Sequence, residues 1–147
     1  MLDNPIIKPI KSSGHFFELM EQYDFYFSLP GQWSNNFYLV IQKGYRFDGA
    51  SIPSALWGFP LMLSPVHPRI VLGSMIHDLC YETKGHINKS EDATLYQKSQ
   101  SGTWYKSYAP ISKKDADLLF LSINKQMNMD IIRRNLTYYA VRFFGRY

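Results

Sequence analysis

Aromatic and β-branched residues crowd two short runs near the start of the chain, Tyr23-Asp24-Phe25-Tyr26-Phe27-Ser28 and Phe37-Tyr38-Leu39-Val40-Ile41. Between them stand Leu29-Pro30-Gly31 and Ser34-Asn35-Asn36, residue types that favour turns, so the runs predict two strands joined as a hairpin with a long loop. A third short strand, Tyr45-Arg46-Phe47, leads into Asp48-Gly49-Ala50-Ser51-Ile52-Pro53, where Asp-Gly and the proline mark a turn. Four prolines between 53 and 68 (Pro53, Pro60, Pro65, Pro68) predict irregular chain packed against the core. Residues 69–81 are then apolar on nearly every face, the pattern of a central helix whose first turn receives Pro68. From 82 to 111 the chain turns polar and reads as a surface excursion, with only 94–98 briefly helical.

Two more helices follow. Ser112-Lys113-Lys114-Asp115 has the spacing of an N-cap whose hydroxyl accepts from the Asp115 N–H, and Ala116, Phe120, Ile123 and Met127 form an apolar stripe behind it. The last helix starts near Asp130 and stops at Gly145; its pattern puts Ile131, Leu136, Tyr139, Ala140, Phe143 and Phe144 inward and Arg133, Arg134 and Arg142 outward. The expected fold class is α+β: a small antiparallel sheet from the N-terminal third packed on about three helices, in a single domain spanning 1–147 with a peripheral polar excursion at about 82–111.

Composition sharpens this picture. The chain has 147 residues, 16% aromatic and 19% charged, which belongs to a folded chain and not a disordered one. With the excursion set aside, the core is small for 11 Tyr and 10 Phe, so the surplus points to an interface or a lined pocket. A single cysteine, Cys80, forbids an intramolecular disulfide and a thiolate zinc site, the usage of an intracellular or intraviral chain. The N-terminus lacks the basic and apolar regions of a signal peptide, and the longest apolar stretch, 57–63, falls far short of the roughly 20 residues of a membrane span. The net charge of +4 is a weak sign of nucleic-acid binding, which the rest of the chain does not favour.

Candidate chemistry gathers around the central helix. His77 and Asp78 are adjacent in its most apolar stretch, and burying two ionisable groups costs several kcal/mol unless each finds a partner. Gly73, one turn earlier, leaves room for a backbone or ligand, and Tyr81 shares the face of His77. Asp117 sits inside an apolar run of the next helix, and Asp48, with Ser51 three residues on, lies in the turn after the third strand. With the two helices antiparallel, His77, Asp78 and Asp117 converge and Asp48 reaches them from the sheet. In a catalytic reading His77 activates water, Asp117 or Asp48 orients the imidazole or holds a metal, and Tyr81 or Ser51 stabilises developing charge. The cofactor stays open: carboxylates suit Ca²⁺ or Mg²⁺, and His with Asp suits Zn²⁺. A structural reading stands beside it at even weight, with Asp48 capping its turn and Asp78 and Asp117 neutralising buried Arg or bonding Tyr81 and Tyr139. His15, His67 and His86 sit beside Gly or Pro as ordinary surface histidines, and His86 with Glu91 and Asp92 is a low-specificity metal signal. Ser51 lacks a nucleophile elbow, and Cys80 reads as a small buried hydrophobe.

Four blocks in order carry a resemblance: 44–53 with Asp48, Ser51 and Pro53; Ile76-His77-Asp78-Leu79-Cys80-Tyr81; Lys114-Asp115-Ala116-Asp117-Leu118-Leu119-Phe120; and Tyr138-Tyr139-Ala140-Val141-Arg142-Phe143-Phe144-Gly145. Together they resemble a family of tailed-phage and prophage proteins catalogued only as a domain of unknown function, number 1353. The resemblance implies a phage setting, in the virion or the host cytoplasm, with other phage proteins or a host factor as partners. It marks Asp48, Ser51, His77, Asp78, Tyr81 and Asp117 as signature positions without an activity. The long 82–111 segment departs from the short connector of many members. Locally, 77–81 also resembles the His-Asp-x-Cys-Tyr helix of secreted phospholipases A2, where His is the base and Asp holds Ca²⁺, although their glycine-rich calcium loop and their other cysteines are missing. The expectations are thus a hydrolase-like or cation-binding centre, or else a virion structural or assembly component in which the cluster is structural.

Overall fold

Alternating burial builds the larger sheet. The computed structural model describes residues 2–12, 15–29, 36–49 and 67–147. Two short strands open the chain, β1 (Ile7–Ser12) and β2 (His15–Leu19), followed by β3 (Tyr23–Ser28), β4 (Asn36–Ile41) and β5 (Arg46–Phe47). In β4, Phe37, Leu39 and Ile41 are buried while Asn36, Tyr38 and Val40 lie on the other face, the period-2 pattern of a half-covered strand. β3 and β4 pair antiparallel from Tyr23 opposite Ile41 to Ser28 opposite Asn36, as the hairpin reading requires.

The polar segment is not a surface excursion throughout. Gly85, at φ +79°, ends the turn after α1 (Val71–Glu82), and the chain then runs through a 3-10 turn at Ile87–Lys89 into β6 (Ala93–Lys98) and β7 (Trp104–Lys106). β6 pairs with β4, so the four-stranded sheet has the order β3-β4-β6-β7 and the expected helical stretch is an interior strand. Its alternation was hidden because Gln97 takes an inward position and Tyr96 an outward one; Ala93 and Leu95 carry the buried face. The second sheet, β1-β2-β5, includes two strands that no sequence signal marked. The α+β class stands, with two antiparallel sheets and three helices.

One core joins these layers: Phe17, Leu19 and Phe47 from the small sheet, Phe25, Leu39, Ile41 and Leu95 from the larger one, and Leu72, Met75, Ile76 and Leu79 from α1. Helix α2 (Lys113–Gln126) opens on the predicted cap, the Asp115 N–H donating to Ser112 Oγ at 3.1 Å. The long connection closes where the Ile111 N–H donates to the Gly85 carbonyl at 3.1 Å, bringing the start of α2 to the end of α1. The two helices pack side by side although about thirty residues separate them.

Helix α3 (Ile131–Phe144) begins at the Asp130 cap and ends at Gly145 as expected, but its rotation differs from the expected one. The buried face is Thr137, Ala140 and Val141, while Ile131, Tyr139, Phe143 and Phe144 are 54–78% exposed and Arg142 turns toward α2. Small side chains allow close packing, and the charge on α2 attracts Arg142; together these outweigh the apolar stripe. Of the expected four-proline loop, Pro53, Pro60 and Pro65 lie outside the described residues, while Pro68 stands in the turn before α1, two residues ahead of the Ile70 cap and not in the first turn of the helix.

A Cβ on Gly85 would sit 1.9 Å from the Ile111 carbonyl oxygen, in a backbone conformation that L-residues rarely adopt. Gly85→Ala is expected to lower stability by about 3 kcal/mol, from left-handed strain plus overpacking. The shift in urea midpoint at constant slope measures it, and an unchanged midpoint would count against the closure.

Candidate functional site

Helical spacing assembles half of the site before any tertiary contact. On α1, His77 and Tyr81 are one turn apart and their rings lie 4.0 Å centroid to centroid. On α2, Lys113 and Asp117 are likewise one turn apart. Packing of α1 on α2 then brings His77 Nε2 to 2.8 Å from Asp117 Oδ1, and the Tyr81 hydroxyl donates to the same oxygen at 2.6 Å. The other carboxylate oxygen, Oδ2, accepts from Lys113 Nζ at 3.0 Å and from an Arg142 guanidinium nitrogen on α3 at 2.7 Å. Lys113 also donates to the Val141 and Arg142 carbonyls at the end of α3, where unpaired carbonyls favour a cation.

Asp117 has no exposed surface, yet it is the best-paired side chain described here. Burial pushes its pKa up, but the hydrogen bonds from His77, Tyr81, Arg142 and Lys113 together outweigh that and hold it well below the carboxylate range. His77 is 2% exposed, and burial lowers its pKa against the opposing pull of Asp117. The imidazole is therefore neutral at pH 7. With a firmly ionised acceptor at Nε2, that nitrogen carries the proton and any further chemistry of the ring belongs to Nδ1.

Asp78 does not join this cluster. It points about 100° around the helix from His77, and its Oδ2 accepts the backbone N–H groups of Asp48 at 3.0 Å and Gly49 at 2.9 Å. Burial raises its pKa well above the ordinary carboxylate value, although both N–H groups pull the other way. It clamps the turn after β5 onto α1. Asp48 thus contributes a backbone donor, and its exposed side chain is not brought to His77 by any described hydrogen bond. The expected convergence of three aspartates is therefore corrected: helix geometry sends the adjacent residues His77 and Asp78 to different neighbours. Ser51 lies outside the described residues.

Among the described residues no three His, Cys, Asp or Glu side chains gather to hold a metal. Both Asp117 oxygens already face N–H or O–H donors, so a cation would have to displace Lys113 and Arg142. Cys80 is fully buried and its thiol is pushed up to about 12 by burial, which suits an inert packing residue. His67 accepts from the Arg69 N–H, and His86 takes part in no described metal cluster.

Sequence reasoning missed three contributors. Lys113 was legible, since a Lys four residues before a buried Asp is an i,i+4 pair. Arg142 was not, because its partner lies on another helix. Asn124, two turns after Asp117, fills the space that Gly73 leaves: a Cβ on Gly73 would lie 2.6 Å from Asn124 Oδ1, and neither amide atom of Asn124 has a hydrogen-bond partner among the described residues.

Removing the Asp117 charge strands Lys113, Arg142 and His77 around a neutral group. Asp117→Asn is expected to lower stability by about 3–5 kcal/mol, read by chemical denaturation. The pH dependence follows from both lowered pKa values. The unfolded chain binds the extra proton first, so stability contributed by His77 is present above about 6.5 and is lost as pH falls through its folded value, and that of Asp117 is lost only below about 3.8. The melting temperature should fall between pH 7 and pH 5 in the natural chain. Replacing His77 by Asn should flatten that step, and a step that persists would assign it elsewhere.

No curated protein matches the chain, and no solved structure does. A family model described as a protein of unknown function (DUF1353) matches residues 26–141, from β3 to the last turns of α3, including the β5 turn and both helices of the His77–Asp117 pair, and the chain belongs to that family.

Proposed function

We propose that this chain is a phage or prophage hydrolase in which His77 is the general base. The observation that carries the reading is the short contact between His77 Nε2 and Asp117, with Tyr81 bonded to the same carboxylate oxygen. This arrangement keeps one tautomer, with the Nε2 proton donated to Asp117 and a lone pair on Nδ1. In the reaction, water gives its proton to Nδ1 as its oxygen attacks the ester-like centre, and the imidazolium passes that proton to the leaving group. Asp117 stabilises the transient positive charge, and Tyr81 fixes the carboxylate. Ser51 remains the candidate for stabilising charge on the substrate, and Asp78 holds the turn that precedes it. The phage setting rests on the four motif blocks, and the fit to the His-Asp-x-Cys-Tyr pattern of secreted phospholipases A2 supports ester hydrolysis without a shared calcium loop.

A second reading, an assembly or virion protein with a structural lock, is favoured by the complete burial of Asp117 and by the pairing of both its oxygens with four donors. Two measurements separate the readings. Over a panel of carboxylic and phosphoric esters, His77→Gln is expected to lose about 10²–10⁴-fold in rate. In the folded chain, diethyl pyrocarbonate should modify His77, as mapped by mass spectrometry, because a working base meets water. A His77 protected until unfolding, in a chain without esterase activity, would assign the cluster to the lock.

A further inference from the structure

The outer face of the larger sheet carries a pocket that the site at His77 does not use. Phe25, Leu39 and Leu95 point from β3, β4 and β6 into the core, so the residues next to them in sequence stand on the opposite side. There Tyr26, Tyr38 and Tyr96 are direct cross-strand partners, and their rings stack with centroids 4.5 Å apart for the first pair and 5.7 Å for the second. Trp104 on β7 meets Tyr26 and Tyr38 edge to face, 5.9 Å from each, with planes crossing at 62° and 63°. Beside this corner Ser28 stands opposite Asn36, and Lys98 opposite Trp104, on paired strands. Tyr26, Ser28, Asn36, Lys98 and Trp104 line an open cavity of about 220 Å³.

The lining selects a ligand. Ser28 Oγ donates to Asn36 Oδ1 at 3.2 Å, which leaves the Asn36 amide N–H groups as donors beside the Ser28 oxygen as an acceptor. A ligand hydroxyl, which both gives and takes a hydrogen bond, can use the two together. Lys98 holds its ammonium 5.8 Å from the centre of the Trp104 ring and has no carboxylate partner among the described residues, so it brings an uncompensated positive charge to the cavity wall. Lys106, opposite Tyr96, adds a second cation farther along the same face. Aromatic faces carry negative potential and attract the weakly positive C–H groups on the apolar face of a sugar ring. The cavity is smaller than the roughly 300–1,000 Å³ that encloses a drug-sized ligand, so it receives about one ring of a longer molecule. A single-stranded nucleic acid would need free ring faces for successive bases, whereas the tyrosines here stack on one another.

We propose that this pocket binds one acidic sugar unit of a polysaccharide, with the ring against Tyr26 and Trp104, a hydroxyl between Ser28 and Asn36, and the carboxylate on Lys98. Trp104 is held by two tyrosines and Lys98 before any ligand arrives, so binding has little left to order. The pocket opens on the side of the sheet turned away from α1 and stands or falls independently of catalysis by His77.

Titration calorimetry of the full chain with oligosaccharides of polygalacturonate, alginate and hyaluronan, beside neutral dextran and cellohexaose and an oligothymidylate, tests it. At least one acidic oligosaccharide is expected to bind about ten-fold or more tightly than the neutral ones, with an affinity that falls as salt is added. Trp104→Ala should weaken that binding by at least about ten-fold. Lys98→Gln should weaken it by about five-fold and level the preference for acidic over neutral sugars. Circular dichroism checks that these exposed substitutions leave the fold intact, and Asn36→Ala provides a second pocket variant should Trp104→Ala disturb β7. Binding to none of the acidic oligosaccharides, equal binding to the neutral ones, or an affinity unaffected by Trp104→Ala, Asn36→Ala and Lys98→Gln would overturn the proposal. So would tighter binding of the oligothymidylate, which would give the face to a nucleic acid.

Discussion

A buried carboxylate is tolerable only when donors surround it, and Asp117 draws its donors from three helices. His77 and Tyr81 come from α1, Lys113 from α2 itself, and Arg142 from α3. Each bond constrains a different degree of freedom. The pair with His77 sets the register of α1 on α2, and the pair with Arg142 sets the rotation of α3. Isolated ionic groups in a core are often no better than apolar ones of the same size, so the main effect of this hub is on which arrangement is chosen. Its specificity is visible in α3, where it prevails over an apolar stripe.

The same constraint controls the chemistry open to His77. A carboxylate held ionised by two cations does not accept the histidine proton; it orients the ring and leaves Nδ1 basic. Asp78, one residue away, lies in a different field. Burial favours its neutral form, and its partners are backbone N–H groups of the β5 turn. Two neighbouring ionisable residues thus have separate tasks, one within the helix bundle and one between bundle and sheet. Gly85 and Ile111 complete the framework by closing the long connection, so that the strands β6 and β7 can extend the larger sheet while α2 returns to α1.

Particular residues show how far the chain could be read in advance. The β3–β4 hairpin, the central helix, the Ser112 and Asp130 caps and the stop at Gly145 depend on local preference and short periods, and these are written in consecutive residues. The placing of His77, Asp117 and Tyr81 in one cluster was also legible, because polar residues in apolar helical runs must find partners and Tyr81 already shares the face of His77. β6 was not: six residues that include Thr, Tyr, Gln and Lys carry no clear period, and only pairing with β4 makes them an interior strand. β1 and β2 escaped for the same reason, since their short runs interrupted by Lys, Pro and Glu are strands by virtue of their partners.

By itself the sequence determined the α+β class, the β3–β4 hairpin, the three helices and the need to compensate a buried histidine and aspartate, because these follow from side-chain size, polarity and spacing along one element. Only the tertiary structure decided that Asp78 turns to the Asp48–Gly49 backbone, that Arg142 faces Asp117 and that Tyr139, Phe143 and Phe144 of α3 face outward. Those outcomes depend on competition among elements distant in sequence, where one buried charge and the close packing of Thr137, Ala140 and Val141 outweigh the amphipathic pattern of a single helix.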